Sequence, residues 1–145
     1  MQKITPFLWF DGKLDEAVTF YTTVFSNARV ENLSPMSATF VIEGQEFMAL
    51  NGGPQFKFNQ AVSFFLRCET QDEVDDLWRK LTNDGGTEGR CGWLKDKFGL
   101  SWQVIPNALG QYLGDRDRVK AGRVMQAMLQ MTKIDIAALE KAYAG

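Results

Sequence analysis

No histidine occurs anywhere in the 145 residues. Histidine is the commonest metal ligand and the usual general base near neutral pH. A nucleophile–His–acid triad, a two-His-one-carboxylate iron centre and a His zinc site are therefore all excluded. The groups left for chemistry are two thiols, Cys68 and Cys91, scattered carboxylates, and amide and hydroxyl side chains. Any metal would have to be held by these. Arg90 and Lys95 lie near Cys91 in sequence and could favour a thiolate. With no imidazole to activate it, Cys91 reads as a buried, inert thiol. Two cysteines cannot form a disulfide framework, and they fit reduced thiols in a cytoplasmic protein. No catalytic residue can be assigned from these groups, and no cofactor is implied.

The bulk composition narrows the partners. Hydrophobic residues make up 45% and charged residues 23%, which is the balance of a folded globular protein. Sixteen basic and 18 acidic residues are interspersed and leave a net charge of −2. No basic stripe exists, so nucleic acid is not an expected partner. The opening MQKITPFLWF has no signal-peptide core, and no apolar run approaches the roughly 20 residues of a membrane span.

The elements that must position any site are legible from period and punctuation. Ile4–Phe10 is an apolar, aromatic run stopped by Asp11-Gly12, a strand and a turn. Leu14, Ala17, Val18, Tyr21, Val24 and Phe25 then recur at helical spacing, with acidic Asp15 and Glu16 suiting the helix start. Three strand-like runs follow, about Ala28–Leu33, Ala38–Glu43 and Glu46–Asn51, with Glu43-Gly44-Gln45 as a tight hairpin. Asn51-Gly52-Gly53-Pro54 ends the series.

The order then restarts. Ala61–Cys68 is strand-like, and Thr70-Gln71-Asp72-Glu73 is a capping box. Val74, Leu77, Trp78 and Leu81 give a buried helix face that Asp84-Gly85-Gly86 terminates. Strands are expected at about Thr87–Cys91, Trp93–Asp96 and Leu100–Ile105. Asp15-Glu16-Ala17 and Phe20-Tyr21 match Asp72-Glu73-Val74 and Leu77-Trp78 at one constant offset, as a duplicated unit would. After Pro106 the pattern is helical: Val124, Met128 and Met131 form one stripe on a helix from near Asp117, and Ile136, Leu139 and Tyr143 another after Asp135. The expected fold class is α+β: a single domain, residues 1–145, with modules at about 1–54 and 59–106 and a helical tail over 107–145.

Three strings carry a family resemblance. Ile4-Thr5-Pro6-Phe7-Leu8-Trp9-Phe10-Asp11-Gly12 with the later Glu16-Ala17-Val18 and Phe20-Tyr21 is the first. Phe47 through Pro54 is the second, and Cys91 through Val104 the third. Together they resemble the PhnB-like family, labelled "3-demethylubiquinone-9 3-methyltransferase domain", of the glyoxalase/bleomycin-resistance (vicinal-oxygen-chelate) superfamily. The resemblance implies two βαβββ modules forming a concave pocket, and a homodimer. It also implies a departure: the connection Leu33-Ser34-Pro35-Met36 is short where related sequences carry a longer Gly/Pro-rich loop.

Metal-dependent members of that superfamily place four ligands on inward strand positions, which map near Thr5, Ala49, Ser63 and Gln103. Only Gln103 among these is a plausible ligand, so the resemblance implies a metal-free site. Alternation then gives the lining. Phe7 and Trp9 are expected on the inward face with Thr5, Asn51 with Ala49, and Phe65 and Arg67 with Ser63, while Trp93 lies at the start of a strand in the Cys91-Gly92-Trp93 motif. Trp102 and Val104 are expected beneath helices. Phe7, Trp9, Asn51, Ser63, Trp93 and Gln103 are thus the expected ligand contacts of an apolar, aromatic pocket. The alternative is an enzyme of the same superfamily, a lyase, a dioxygenase or the labelled methyltransferase, using a site without histidine. Asp84-Gly85-Gly86-Thr87-Glu88-Gly89 is the one stretch comparable to a cofactor-binding glycine loop. It follows a helix instead of opening one, which suits a C-cap and turn.

Overall fold

Alternating apolar residues and two positive-φ turns build the first module. The computed structural model describes residues 2–145. The chain divides between Phe58 and Asn59 into two compact units. The first contains β1 (Phe7–Phe10), α1 (Leu14–Val24), β2 (Ala28–Leu33), β3 (Ser37–Ile42) and β4 (Gln45–Asn51). The sheet order is β1-β4-β3-β2, with β1 parallel to β4 and the other pairs antiparallel. Leu8, Phe10, Phe40, Phe47 and Ala49 are buried on the face that meets Leu14, Ala17, Val18 and Tyr21 of α1. Tyr21 stacks on Phe40, and Phe40 on Phe47. Glu43 and Gly44 both take positive φ, 50° and 80°, the hairpin geometry whose twist matches the flanking strands. The short Leu33–Met36 connection is itself a tight turn: the Ser34 N–H donates to the Ser37 carbonyl at 2.8 Å, and the Ser37 N–H to Ser34 Oγ at 3.1 Å.

The second unit repeats the order: β5 (Ser63–Cys68), α2 (Gln71–Thr82), β6 (Thr87–Glu88), β7 (Trp93–Lys95) and β8 (Ser101–Pro106). Its sheet runs β5-β8-β7-β6, the same arrangement as the first. Thr70 caps α2 by accepting the Glu73 N–H at 3.2 Å. Val74, Trp78 and Leu81 bury the helix against Trp102, Val104 and Leu94. The expectation that Trp102 and Val104 pack beneath a helix is met. The two βαβββ modules inferred from element order are therefore present.

β6 is shorter than the expected Thr87–Cys91. Cys91 and Gly92 take positive φ, 57° and 86°, which no strand tolerates. Their N–H groups instead donate to the carbonyls of Met131 and Thr132, both at 2.8 Å. β1 also starts later than expected, at Phe7, after Pro6, which has no N–H to donate to a ladder.

The C-terminal segment forms α3 (Asn107–Leu113), α4 (Arg118–Leu129) and α5 (Ile136–Ala144). Asp117 and Asp135 cap α4 and α5 through their carboxylates. Ile105, Leu109, Val124, Ile134 and Leu139 make the core of this segment, with Met128 and Met131 packed against it. Gln71 ties the segment to α2, donating to the Ile134 carbonyl at 3.0 Å and accepting the Ile136 N–H at 2.7 Å. Among the described residues, no helix is long and apolar enough to cross a membrane.

Candidate functional site

Each sheet has one face covered by its own helix and one face turned away from it, and the strand registers decide which side chains occupy each. In the first module Phe7 pairs with Met48 and Trp9 with Leu50, so these four share the face away from α1. Phe7 is 54% exposed and Met48 38%. Ala49 pairs with Leu8 and Asn51 with Phe10, on the helix side. The expectation that Ala49 and Asn51 share a face with Thr5, Phe7 and Trp9 is therefore corrected. The run Phe47–Asn51 carries side chains on both faces that a core could accept, and the parallel register with β1 selects Phe47 and Ala49 for burial.

Asn51 performs a structural task. Its Oδ1 accepts the Leu14 N–H at 3.0 Å, which caps α1, since Lys13 at the N-cap position contributes no side-chain bond. Its Nδ2 donates to the Pro35 carbonyl at 3.0 Å. Trp9 is likewise engaged: its indole N–H donates to the Gly53 carbonyl at 2.9 Å, and Phe56 meets its ring edge-on with centroids 4.9 Å apart. Gly52 lies against the indole so closely that a Cβ there would sit 2.2 Å from Trp9 Cε2.

In the second module Ser63, Phe65 and Arg67 alternate along the face of β5 away from α2. Gln103 pairs with Phe65 on one side and Trp93 on the other. The register thus brings Ser63, Trp93 and Gln103 onto one sheet face, as expected, with Phe65 and Arg67 beside them. Gln103 Nε2 donates to Ser63 Oγ at 3.0 Å. The Arg67 guanidinium lies 5.5 Å from the Phe65 ring centre. Ile105 ends this face, buried among Leu109, Val124, Ile134 and Leu139, so the tail walls off that end.

Tryptophan bonding separates frame from face. Three of the four indoles are fixed: Trp9 to Gly53, Trp78 to Glu88 Oε1 at 2.7 Å, and Trp102 to Asp96 Oδ2 at 2.9 Å. Trp93 has no indole partner among the described residues and stays half-buried on the face of Gln103. Asp96, 3% exposed, also accepts the N–H groups of Phe98 and Leu100, so this buried carboxylate organises the β7–β8 turn.

The four positions expected from sequence as metal-ligand positions do not come together as a site for a divalent ion, and the register that turns Ala49 to the helix side corrects its place among them. Ala49 offers no donor and lies on the helix side, Thr5 donates to Glu46 Oε1 at 3.4 Å, and Ser63 and Gln103, joined by one hydrogen bond, supply no charged ligand. Among the described residues no three His, Cys, Asp or Glu side chains gather as a metal site requires. Cys68 is buried, and that burial, together with the Glu73 carboxylate, pushes its thiol up to about 12. Cys91 is half-buried, a correction to its expected burial, and the neighbouring Arg90 guanidinium donates to the Leu129 carbonyl at 2.9 Å.

Two residues on the second face escaped the sequence reading. Lys95 pairs with Ser101, and Ser101 with Ser63, so all three share one row. Ser101 is fully buried, and its hydroxyl finds no hydrogen-bond partner among the described residues. Alternation puts Ser101 on the face of Gln103 and Lys95 on that of Trp93, but their alignment in one row with Ser63 comes only from the strand pairing. Elsewhere, a groove of about 750 Å³ lies between α4 and α5. Its guanidinium, Arg123, is occupied by the carbonyls of Ala142 and Tyr143.

The 3-demethylubiquinone-9 3-methyltransferase family matches residues 2–105 of the chain. Among solved structures, the PhnB protein from Bacillus cereus is 35% identical, with a TM-score of 0.64 over 72% of this chain and 99% of that one. A protein from Pseudomonas aeruginosa shares 22% identity and a TM-score of 0.63, over 73% of this chain and 98% of its own. A glyoxalase-related enzyme from Fulvimarina pelagi shares the fold at 16% identity and a TM-score of 0.56, over 75% and 91% of the two chains. No curated protein matches. The chain belongs to the 3-demethylubiquinone-9 3-methyltransferase, or PhnB-like, family, and its fold is that of the glyoxalase/bleomycin-resistance superfamily.

Proposed function

We propose that this member of the PhnB-like family binds a small, partly aromatic molecule on the sheet face formed by Ser63, Phe65, Trp93 and Gln103, and does so without a metal ion. The carrying observation is Trp93. It is the one indole of four with no hydrogen-bond partner among the described residues, and it pairs directly with Gln103. Buried indoles usually find a partner within the fold, whereas the Trp93 N–H is left open to one from outside the chain. An aromatic ligand stacked on Trp93 or Phe65 gains roughly 0.5–1.5 kcal/mol per ring pair beyond area burial. Gln103 and Ser63 supply an amide and a hydroxyl to fix its orientation.

Of the other expected contacts, Phe7 offers the first module an exposed aromatic surface for the same kind of molecule. Trp9 and Asn51 serve by holding that module's frame. We further propose that the protein works as a cytoplasmic homodimer organised as a single functional domain. Met128 and Met131 of the helical tail pack against its core, and Met125 of α4 is left with apolar surface for self-association.

The test is a fragment screen read by tryptophan emission. Aromatic fragments that change the emission of the native chain, with the change abolished in Trp93→Phe, support the reading. A change that survives in Trp93→Phe, or no responding fragment, contradicts it.

A further inference from the structure

Building on the reading that the second module's open face binds a small molecule, we infer that its ligand carries an oxyanion, a carboxylate or phosphate group, seated on the donor row Ser63–Ser101–Lys95. The registers align these side chains across three strands, with Thr87 of β6 following Lys95. Neighbouring strands lie about 4.8 Å apart. The face therefore presents hydroxyl, hydroxyl, ammonium and hydroxyl in a line.

Each member of the row has a proton to give. Ser63 Oγ accepts the Gln103 amide, which leaves its own hydroxyl hydrogen for another partner. Ser101 is fully buried, and its hydroxyl has no partner among the described residues. Buried polar groups are almost always satisfied, so an acceptor is called for at this point. Lys95 brings the positive charge.

The acids that adjoin Lys95 in sequence and across the strand pair are engaged on the helix side. Glu88 pairs with Leu94 on the helix side and accepts the Trp78 indole N–H. Asp96 lies on the helix side too, accepting the Trp102 indole N–H. No Asp or Glu occupies the open face of β5, β7 or β8, where Arg67 adds a second cation further along β5. The adjoining row, Phe65–Gln103–Trp93, is aromatic at both ends. One row reads charge and the next reads a flat apolar body.

Titration calorimetry on the full chain separates this inference from the broader one. The probes are 1-naphthoate, 1-naphthyl phosphate and neutral 1-naphthamide. Either acid should bind at least about tenfold more tightly than the amide, a difference of one decade in Kd. Lys95→Met should erase that preference. Lys95→Arg should keep it, and Lys80→Met on α2 should not alter it. Ser101→Ala should weaken the acids more than the amide. Equal binding of acids and amide overturns the oxyanion inference and leaves small-molecule binding standing, as does a preference that survives in Lys95→Met. No binding of any probe overturns both.

Discussion

The two modules share one topology and use their polar and aromatic strand residues in opposite ways. In the first, Trp9 is clamped to the Gly52-Gly53 turn and Asn51 caps α1, so both serve the frame. In the second, the frame is held from the helix side by Trp78–Glu88 and Trp102–Asp96. Trp93, Gln103, Ser63 and Lys95 are then free to occupy the other face. A βαβββ unit thus has two ways to satisfy an indole.

The comparison can be broken most forcefully at Asp96. Replacing it with Ala removes the acceptor for two backbone N–H groups and the Trp102 indole in a buried turn. Unsatisfied buried donors should cost about 3 kcal/mol or more, read as a lower urea midpoint. A loss below about 1 kcal/mol would show that the frame of the second module does not rest on this carboxylate.

Next comes Gly52→Ala. The added Cβ would meet the Trp9 ring at 2.2 Å, and such overpacking typically costs about 1–3 kcal/mol. Pairing it with Trp9→Leu, which vacates the ring position, should recover part of that loss. Additive losses in the double variant would mean that the two residues do not oppose one another.

Asn51→Ala comes third. It deletes the cap of α1 and the bond to Pro35, and a lost N-cap is worth about 1 kcal/mol. Thermal melting should fall modestly with ligand response unchanged. A lost ligand response at unchanged stability would return Asn51 to the ligand-contact role expected from sequence.

The smallest effect lies in the tail, where the Tyr143 hydroxyl donates to Asp115 Oδ2 at 2.5 Å. That bond holds the Asp115 carboxyl below its usual range and raises the Tyr143 phenol. A lowered carboxyl contributes stability that is present above the unfolded value of 3.8 and fades as pH falls through the folded one. A raised phenol contributes stability that is present below 10.0 and fades as pH rises through its folded value. Melting of Tyr143→Phe should therefore converge with the native chain at both pH extremes and fall below it between them. Parallel curves across the whole range would show that the pair is uncoupled.

Much of this was legible in sequence, and the failures have identifiable causes. Helix faces and turns were readable because Leu14–Phe25 and Val74–Leu81 keep a clean helical period and Glu43-Gly44 demands positive φ. The face of β5 was readable because Ser63 and Arg67 bracket Phe65 in alternation. β4 misled because Phe47-Met48-Ala49-Leu50 is apolar on both faces, so period two cannot choose between them. The early end of β6 depends on a positive φ at Cys91, a residue that gives no such signal. α3 went unread because it is seven residues long, carries Gly110 and lacks a side-chain cap. Ser101 and Lys95 matter only through pairing, which a single strand does not display.

The central claim, that the second module's open face is the binding surface and the first module's Trp9 and Asn51 are frame, meets its most direct test in a two-dimensional NMR titration with 1-naphthoate. The account predicts that the Trp93 indole and Gln103 side-chain amide signals shift saturably while those of Trp9 and Asn51 stay in place. Saturable shifts at Trp9 and Asn51 with Trp93 and Gln103 unmoved would contradict it.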